Sequence, residues 1–269
     1  AASKDDKIKY EEYLKRQIMD TSRHQIIYGY NTKERHQFLQ GLEESYPVKT
    51  SSNIPIAIYM EDYILSKPNK KQSDYETISA AGEFLEFTII ENIISKILSS
   101  GLKLDEKSQA DFVTRITRLF GNRNHEQLTN IKRLKELRRA LLESKNFYRE
   151  RYLQEEKENL SIDNLIIPFI TAESVVPKVK TLLELDSYFG LIFDITNSIS
   201  PLSAITINNY IGKRCNADLS IKLACDATSW PTYCSLNGQI DAIHDYGTVE
   251  LDDCVKEYTK KMKLMREGE

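Results

Sequence analysis

Histidine and cysteine are both scarce in this 269-residue chain, four of each, and that scarcity limits its chemistry first. His24, His36, His125 and His244 stand too far apart to form a metal-binding pair on one helix. Cys215, Cys225, Cys234 and Cys254 all fall in the last quarter, at spacings that match neither CxxC nor a common zinc pattern. Metal catalysis is not expected, and the cysteines read as small hydrophobes of a reduced, cytoplasmic protein. No apolar run reaches the roughly 18 residues of a spanning helix. The first residues, AASKDDKIKYEEYLKR, are charged and unlike a signal peptide, so a soluble protein without membrane contact is expected. A basic excess is also missing: 37 Lys and Arg face 40 Asp and Glu, a formal charge of −3, which advertises no polyanionic partner. The lack of an initiating Met reads as a processed end or a fusion scar, so the first few residues are not expected to belong to the fold.

What is present suits one large α/β domain. Hydrophobic residues make up 41% of the chain, enough for a substantial core. Five short stretches of mostly β-branched or aromatic residues read as strands: 25–28, 55–59, 190–195, 220–225 and 248–251. GLIFDI and SIKLAC are almost continuously apolar, as strands covered on both faces tend to be. Helical periodicity separates them, over 33–45, 83–100, 106–119, 171–185 and 201–215, with a long charged helix expected from an Asn124 cap to about residue 159. Strands alternating with helices predict a three-layer fold with about five parallel strands. About 130 residues separate the second strand from the third, and they predict a helical insertion over about 77–185. The polar stretch SKPNKKQSDYE, 66–76, reads as a loop.

The segment IIYGYNTKERH follows the first strand and opens the first helix. A phosphate-binding loop stands in that place, because backbone N–H groups and a helix N-terminus there converge on an anion. Laid on G-x-x-x-x-G-K-[ST], Gly29 fits the first glycine, but Glu34 replaces the second, Arg35 the lysine and His36 the hydroxyl residue. Glu34 brings negative charge to the place where a phosphate approaches the backbone. Arg35 keeps a positive charge on a longer, forked side chain, and Lys33 offers a second cation nearby. Asp194 ends the strand GLIFD, where a magnesium-binding aspartate would stand, and Ile195 follows in place of a hydrolytic glutamate.

The order of parts resembles the AAA+ ATPases of the origin-recognition and initiator type, and in particular their bacterial relatives. The residues carrying the resemblance are Asn208, Asn209 and Arg214 near the end of one helix, the strand Ile221–Ala224, and Gly238, His244, Asp245, Tyr246, Val249 and Leu251. It spans about 24–253, the helical insertion apart. The resemblance implies a P-loop fold, ATP and magnesium as cofactors, a lid domain with a sensor arginine, and a finger role for Arg214 across a subunit boundary. The chain departs from that pattern at the loop and at Ile195, and the 18 residues after Leu251 are read as too few for a lid. The expectation is therefore an impaired ATPase, with no cofactor of its own, that works as a scaffold or interaction module for a protein partner or for itself, in a mobile-element or defence assembly. An active ATPase using Arg35, or Lys33, with Asp194 is the alternative, and Gly29 and His36 complete the candidate nucleotide site. A third reading makes Lys132, Arg133, Arg138 and Arg139 of the long helix a nucleic-acid contact, against a solvated helix whose basic segment is followed by acidic residues. Around the only tryptophan, Trp230, a structured loop or hairpin at the sheet's edge is expected. Its adjacent His244 and Asp245 would point to opposite faces of a strand rather than act as an acid–base pair.

Overall fold

Nearly continuous apolar runs fix which central strands form and require that both their faces be covered. A computed structural model describes residues 4–60, 73–120, 130–153, 170–196, 199–212, 218–226, 230–242 and 244–252. Five strands lie parallel in one sheet: β1 (Gln25–Tyr28), β2 (Asn53–Met60), β3 (Tyr188–Ile195), β4 (Leu219–Cys225) and β7 (Gly247–Glu250), in the order β2-β3-β4-β1-β7. A separate hairpin pairs β5 (Cys234–Ser235) with β6 (Gly238–Gln239). Seven helices are described: α1 (Lys4–Met19), α2 (Thr32–Ser45), α3 (Asp74–Ser99), α4 (Glu106–Leu119), α5 (Leu134–Leu153), α6 (Ile170–Leu183) and α7 (Pro201–Ile211).

The central strands bury both faces. Ile27, Ala57, Ile192 and Ala224 point to one side and pack with Leu14 and Ile18 of α1 and Leu39 and Leu42 of α2. Their neighbours Ile26, Ile58, Phe193 and Leu223 point to the other side, into a larger core filled from α3, α4, α5, α6 and α7. Burying an Ile, Leu or Phe of this kind stabilises by roughly 1.5–3 kcal/mol. The helices between β2 and β3 thus share the core of the sheet. Central among them is α3, which buries even Glu86, whose Oε1 accepts the Tyr210 hydroxyl of α7 at 3.1 Å. Burial, with that carboxylate beside it, drives the Tyr210 phenol well above its ordinary value.

Three boundaries differ from expectation. The discounted N-terminus is helical from Lys4, and Tyr10, Leu14 and Ile18 form a stripe four residues apart that covers the sheet. The stretch read as a loop ends inside a helix start: Ser73 caps α3 and Glu76 completes a capping box, so α3 begins at Asp74 rather than 83. The long helix is shorter than expected. Asn130 is left-handed (φ 62°), residues 131–133 are not helical, and α5 starts at Leu134, with Glu136 accepting the N–H groups of Lys132 and Arg133. The expected Asn124 cap and the acidic end of that helix lie outside the described residues.

The two ends of the sheet are built differently. At the amino end Lys222 is fully buried, and its Nζ donates to the Thr21 and Arg23 carbonyls, both at 3.2 Å, and to Gln25 Oε1 at 2.7 Å, tying the α1–β1 turn to β4. The edge strand β2 is closed to further pairing. Pro55 has no N–H to offer, which an edge strand tolerates, and the outward N–H of Ala57 donates to Glu43 Oε1 at 3.2 Å. Among the described residues no helix is long and apolar enough to cross a membrane.

Candidate functional site

Open α/β sheets bind ligands beyond the carboxyl ends of their strands, where the outgoing connections of neighbouring strands diverge to opposite faces. Here that point lies between β1 and β4. From β1 the chain enters α2 on one face. From β4 it runs to Trp230 and the β5–β6 hairpin, held against α7 on the other.

The loop after β1 turns as its sequence demands. Gly29 has φ 100°, and a Cβ there would lie 2.6 Å from Asp252 Oδ2 and 3.0 Å from the Asp252 backbone nitrogen. Only glycine fits both the dihedral and the space. Tyr30 follows, also left-handed (φ 56°), and its N–H donates to Asp252 Oδ1 at 3.0 Å. Asn31 then caps α2: its side chain accepts from the Glu34 N–H at 3.0 Å, while Glu34 Oε2 takes the Asn31 N–H at 3.3 Å and the Asn31 side-chain amide at 2.6 Å. Carboxylates of the chain itself therefore accept the Tyr30 and Asn31 N–H groups, two donors just before the helix start, and the Asn31 amide oxygen accepts a third, that of Glu34.

Arg35 belongs to the buried stripe of α2 with Phe38, Leu39 and Leu42, and it is 0% exposed. Nε donates to Asp194 Oδ1 at 2.5 Å, Nη2 to the Ile195 carbonyl at 2.9 Å, and Nη1 to the Tyr30 carbonyl at 3.1 Å and, weakly, to Asp226 Oδ1 at 3.4 Å. One guanidinium thus joins β3, the loop after β1 and the residue after β4. Asp194 is equally buried. Its carboxyl is pushed above the usual range by burial, and the Arg35 hydrogen bond and charge only partly offset that push. His36 Nε2 stands 3.3 Å from Asp194 Oδ2, near enough to feel its charge, yet Oδ2 makes no hydrogen bond. The His36 ring lies edge-on to Tyr59 at 4.2 Å between centroids, and burial, helped by Glu43 and Asp194, pushes the Tyr59 phenol up to about 12.

The chain matches no protein-family model, no curated protein and no solved structure.

Of the candidates from the sequence, Gly29, Arg35, His36 and Asp194 come together at this point. Lys33 is exposed on the first turn of α2, and Arg214 lies outside the described residues. The basic segment around α5 also faces acids: Arg138 pairs with Glu91 at 2.8 Å, and Arg139 with Glu143 at 2.9 Å and Arg133 with Glu106 at 3.6 Å form exposed pairs. Lys132 and Arg133 precede the helix instead of lying on it. Trp230 and the residues after it are held by α7, and a hairpin follows as expected: Nε1 donates to Asn208 Oδ1 at 3.2 Å, and Asn208 Nδ2 donates to the Thr232 and Cys234 carbonyls at 2.9 and 2.8 Å. His244 faces Asp241 at 3.2 Å, and Asp245 instead accepts the Asp241 N–H at 2.8 Å. Sequence reasoning missed Asp226 and Asp252, each one or two residues past a strand end. The acidic run after the last strand, ELDD, was the only available sign of Asp252.

Proposed function

We propose that this chain is a P-loop-like α/β protein related to the AAA+ ATPases that has given up ATP hydrolysis and serves as an interaction or scaffold module. The observation that carries this reading is the buried pair of Arg35 and Asp194. In a working phosphate loop the cation holds phosphate and the strand-end acid serves magnesium. Here each neutralises the other at 2.5 Å, with both side chains at most 1% exposed. To admit Mg·ATP, the pair would have to separate and leave Asp194 to the metal. The Asp252 carboxylate would have to leave the Tyr30 N–H and the Glu34 carboxylate the Asn31 N–H, since each would repel the phosphates if it stayed. The residues present do not fit a triphosphate with its metal, so no hydrolytic step is assigned to them.

The architecture keeps a sheet covered on both faces, with the loop after β1 and the ends of β3 and β4 tied together by the Arg35 hydrogen bonds. Fold resemblance alone supplies no activity when the site groups differ. Thermal denaturation with and without millimolar Mg·ATP tests the reading. A nucleotide at ~100 times its dissociation constant would stabilise the fold by about 2.7 kcal/mol. The expected result is an unchanged melting temperature; a clear rise would refute the loss of nucleotide binding and restore the ATPase reading.

A further inference from the structure

The chain contains a single Asn-Gly step, Asn237-Gly238, and it stands where the β5–β6 hairpin turns. Both residues are exposed. Ser235 Oγ anchors the turn, accepting the Asn237 N–H at 3.2 Å and donating to the Gly238 carbonyl at 2.8 Å. The side-chain amide of Asn237, in contrast, makes no hydrogen bond among the described residues. Gly238 has φ 131°, and apart from its chain neighbours no atom lies within 4 Å of the place where a Cβ would stand. A side chain at that position would shield the Gly238 nitrogen from the asparagine before it; glycine leaves the nitrogen open. Other asparagines lack this combination. Asn53 and Asn92 donate their amides to the Met19 and Thr88 carbonyls at 2.7 and 2.8 Å, and each precedes a branched isoleucine. Asn208 is tied to two carbonyls inside the fold.

We infer that Asn237-Gly238 is a site of self-modification, at which the hairpin tip converts to aspartate and isoaspartate through a cyclic imide, with water as the only co-reactant. The Gly238 nitrogen attacks Cγ of Asn237. The N–Cγ bond forms, the Cγ–Nδ2 bond breaks, and the amide nitrogen leaves as ammonia with the proton of the Gly238 N–H. Water then opens the imide. Opening at Cγ gives an ordinary aspartate, and opening at the main-chain carbonyl gives an isoaspartate, whose backbone runs through Cγ and is one methylene longer. Either product adds a negative charge to a chain of formal charge −3. The isoaspartate also displaces the turn from α7, where Asn209 Oδ1 accepts the Leu236 N–H at 2.7 Å and holds a leucine that is 60% exposed. The base of the hairpin is held separately, by Asn208 and by the Ile240 N–H on the Tyr233 carbonyl at 2.9 Å, so the change is confined to the tip. The site uses neither Arg35 nor Asp194 and stands whether or not nucleotide binds.

The test is storage of the purified full chain in warm neutral buffer, followed by peptide mapping with mass spectrometry. The peptide spanning Asn237 should gain the mass of NH2 replaced by OH and split into two products, one of them a substrate for isoaspartate methyltransferase. Asn237→Gln, whose longer side chain would need a larger ring, should lose both products while circular dichroism stays unchanged. In the isoaspartate form the Leu236 amide should lose its protection from hydrogen exchange, with Trp230 emission unaltered. No conversion in the folded chain, over a time in which a synthetic peptide of residues 234–240 converts, would show that the turn holds Cγ away from the nitrogen and would overturn the proposal. Aspartate without isoaspartate would overturn the imide route, equal methyltransferase labelling of Asn237→Gln would overturn the assignment to this residue, and a shift in Trp230 emission would overturn its confinement to the tip.

Discussion

Replacing Arg35 with methionine would expose the energetics of the buried pair through their dependence on pH. The variant keeps an unbranched stem in the α2 stripe but leaves Asp194 at 0% exposure without its cation. A lone buried carboxylate takes up a proton instead of remaining charged. In the unfolded chain Asp194 has its ordinary value of 3.8, so at pH 7 that protonation spans about three pH units at about 1.36 kcal/mol each, or about 4 kcal/mol. This agrees with the roughly 3–5 kcal/mol expected when one member of a buried pair is removed. Loss of the bonds to the Tyr30 and Ile195 carbonyls adds about 1 kcal/mol each, independent of pH. The folded variant holds a proton that the unfolded chain lacks between about pH 4 and 7, so its stability falls as pH rises and recovers by about 1.4 kcal/mol per unit on acidification. The parent protein has the same sign in weaker form, since burial already raises Asp194 there. Urea unfolding at pH 5, 6 and 7 measures this directly. The double variant Arg35→Met with Asp194→Asn should lose the slope while retaining His36, so the difference between single and double variants isolates Asp194. A destabilisation by Arg35→Met that is the same at pH 5 and pH 7 would refute the buried ion pair.

Three further outcomes are expected. Gly29→Ala should destabilise by about 1–3 kcal/mol, because it adds strain at φ 100° and a Cβ 2.6 Å from Asp252 Oδ2; adding Asp252→Ala should recover only the steric part, as read from melting temperatures. Asn208→Leu leaves two carbonyls and the Trp230 indole N–H without their partner, at a cost of about 2–3 kcal/mol. Since Trp230 is the only tryptophan, a red shift of its emission would report the loosened loop, and an unchanged spectrum would count against the packing described. Changing Arg138 and Arg139 together to glutamate should leave any residual DNA retention intact in a salt-dependent filter assay. The same change at position 138 sets a second carboxylate against Glu91 and should lower stability by about 1 kcal/mol.

The strands were legible because β-branched runs covered on both sides carry a strong local signal, and all five sheet strands stand within two residues of their expected limits. Helix limits were harder to read where tertiary contacts decide them. The 10, 14, 18 stripe of α1 is visible in the sequence, but terminal charge concealed it, and only the sheet beneath explains why those residues are helical and buried. The S-x-x-E box at Ser73 was legible too, inside a polar run that looked like a loop. At the site, the sequence marked Arg35 and Asp194 as separate candidates for phosphate and magnesium. Their union spans 159 residues of chain, and no periodicity links two side chains that meet only because α2 packs over the end of β3. In the sequence Glu34 shows only as a repulsive charge, and its role as the far half of a capping box depends on the backbone turn at Gly29 and Tyr30.

The closed edge at β2 has a consequence for assembly. Parallel sheets can fuse across a two-fold axis when two like edges present free N–H and C=O groups to each other. At β2 one outward donor is missing at Pro55 and another is already satisfied by Glu43, itself anchored to Lys96 at 3.1 Å. Two copies brought together at that edge would have to break the Glu43 contacts and would still lack a bond at the proline. Self-association through β2 into one continuous sheet is thus disfavoured by the strand's own composition, and a dimer that respects this limit must form through helices or through another edge.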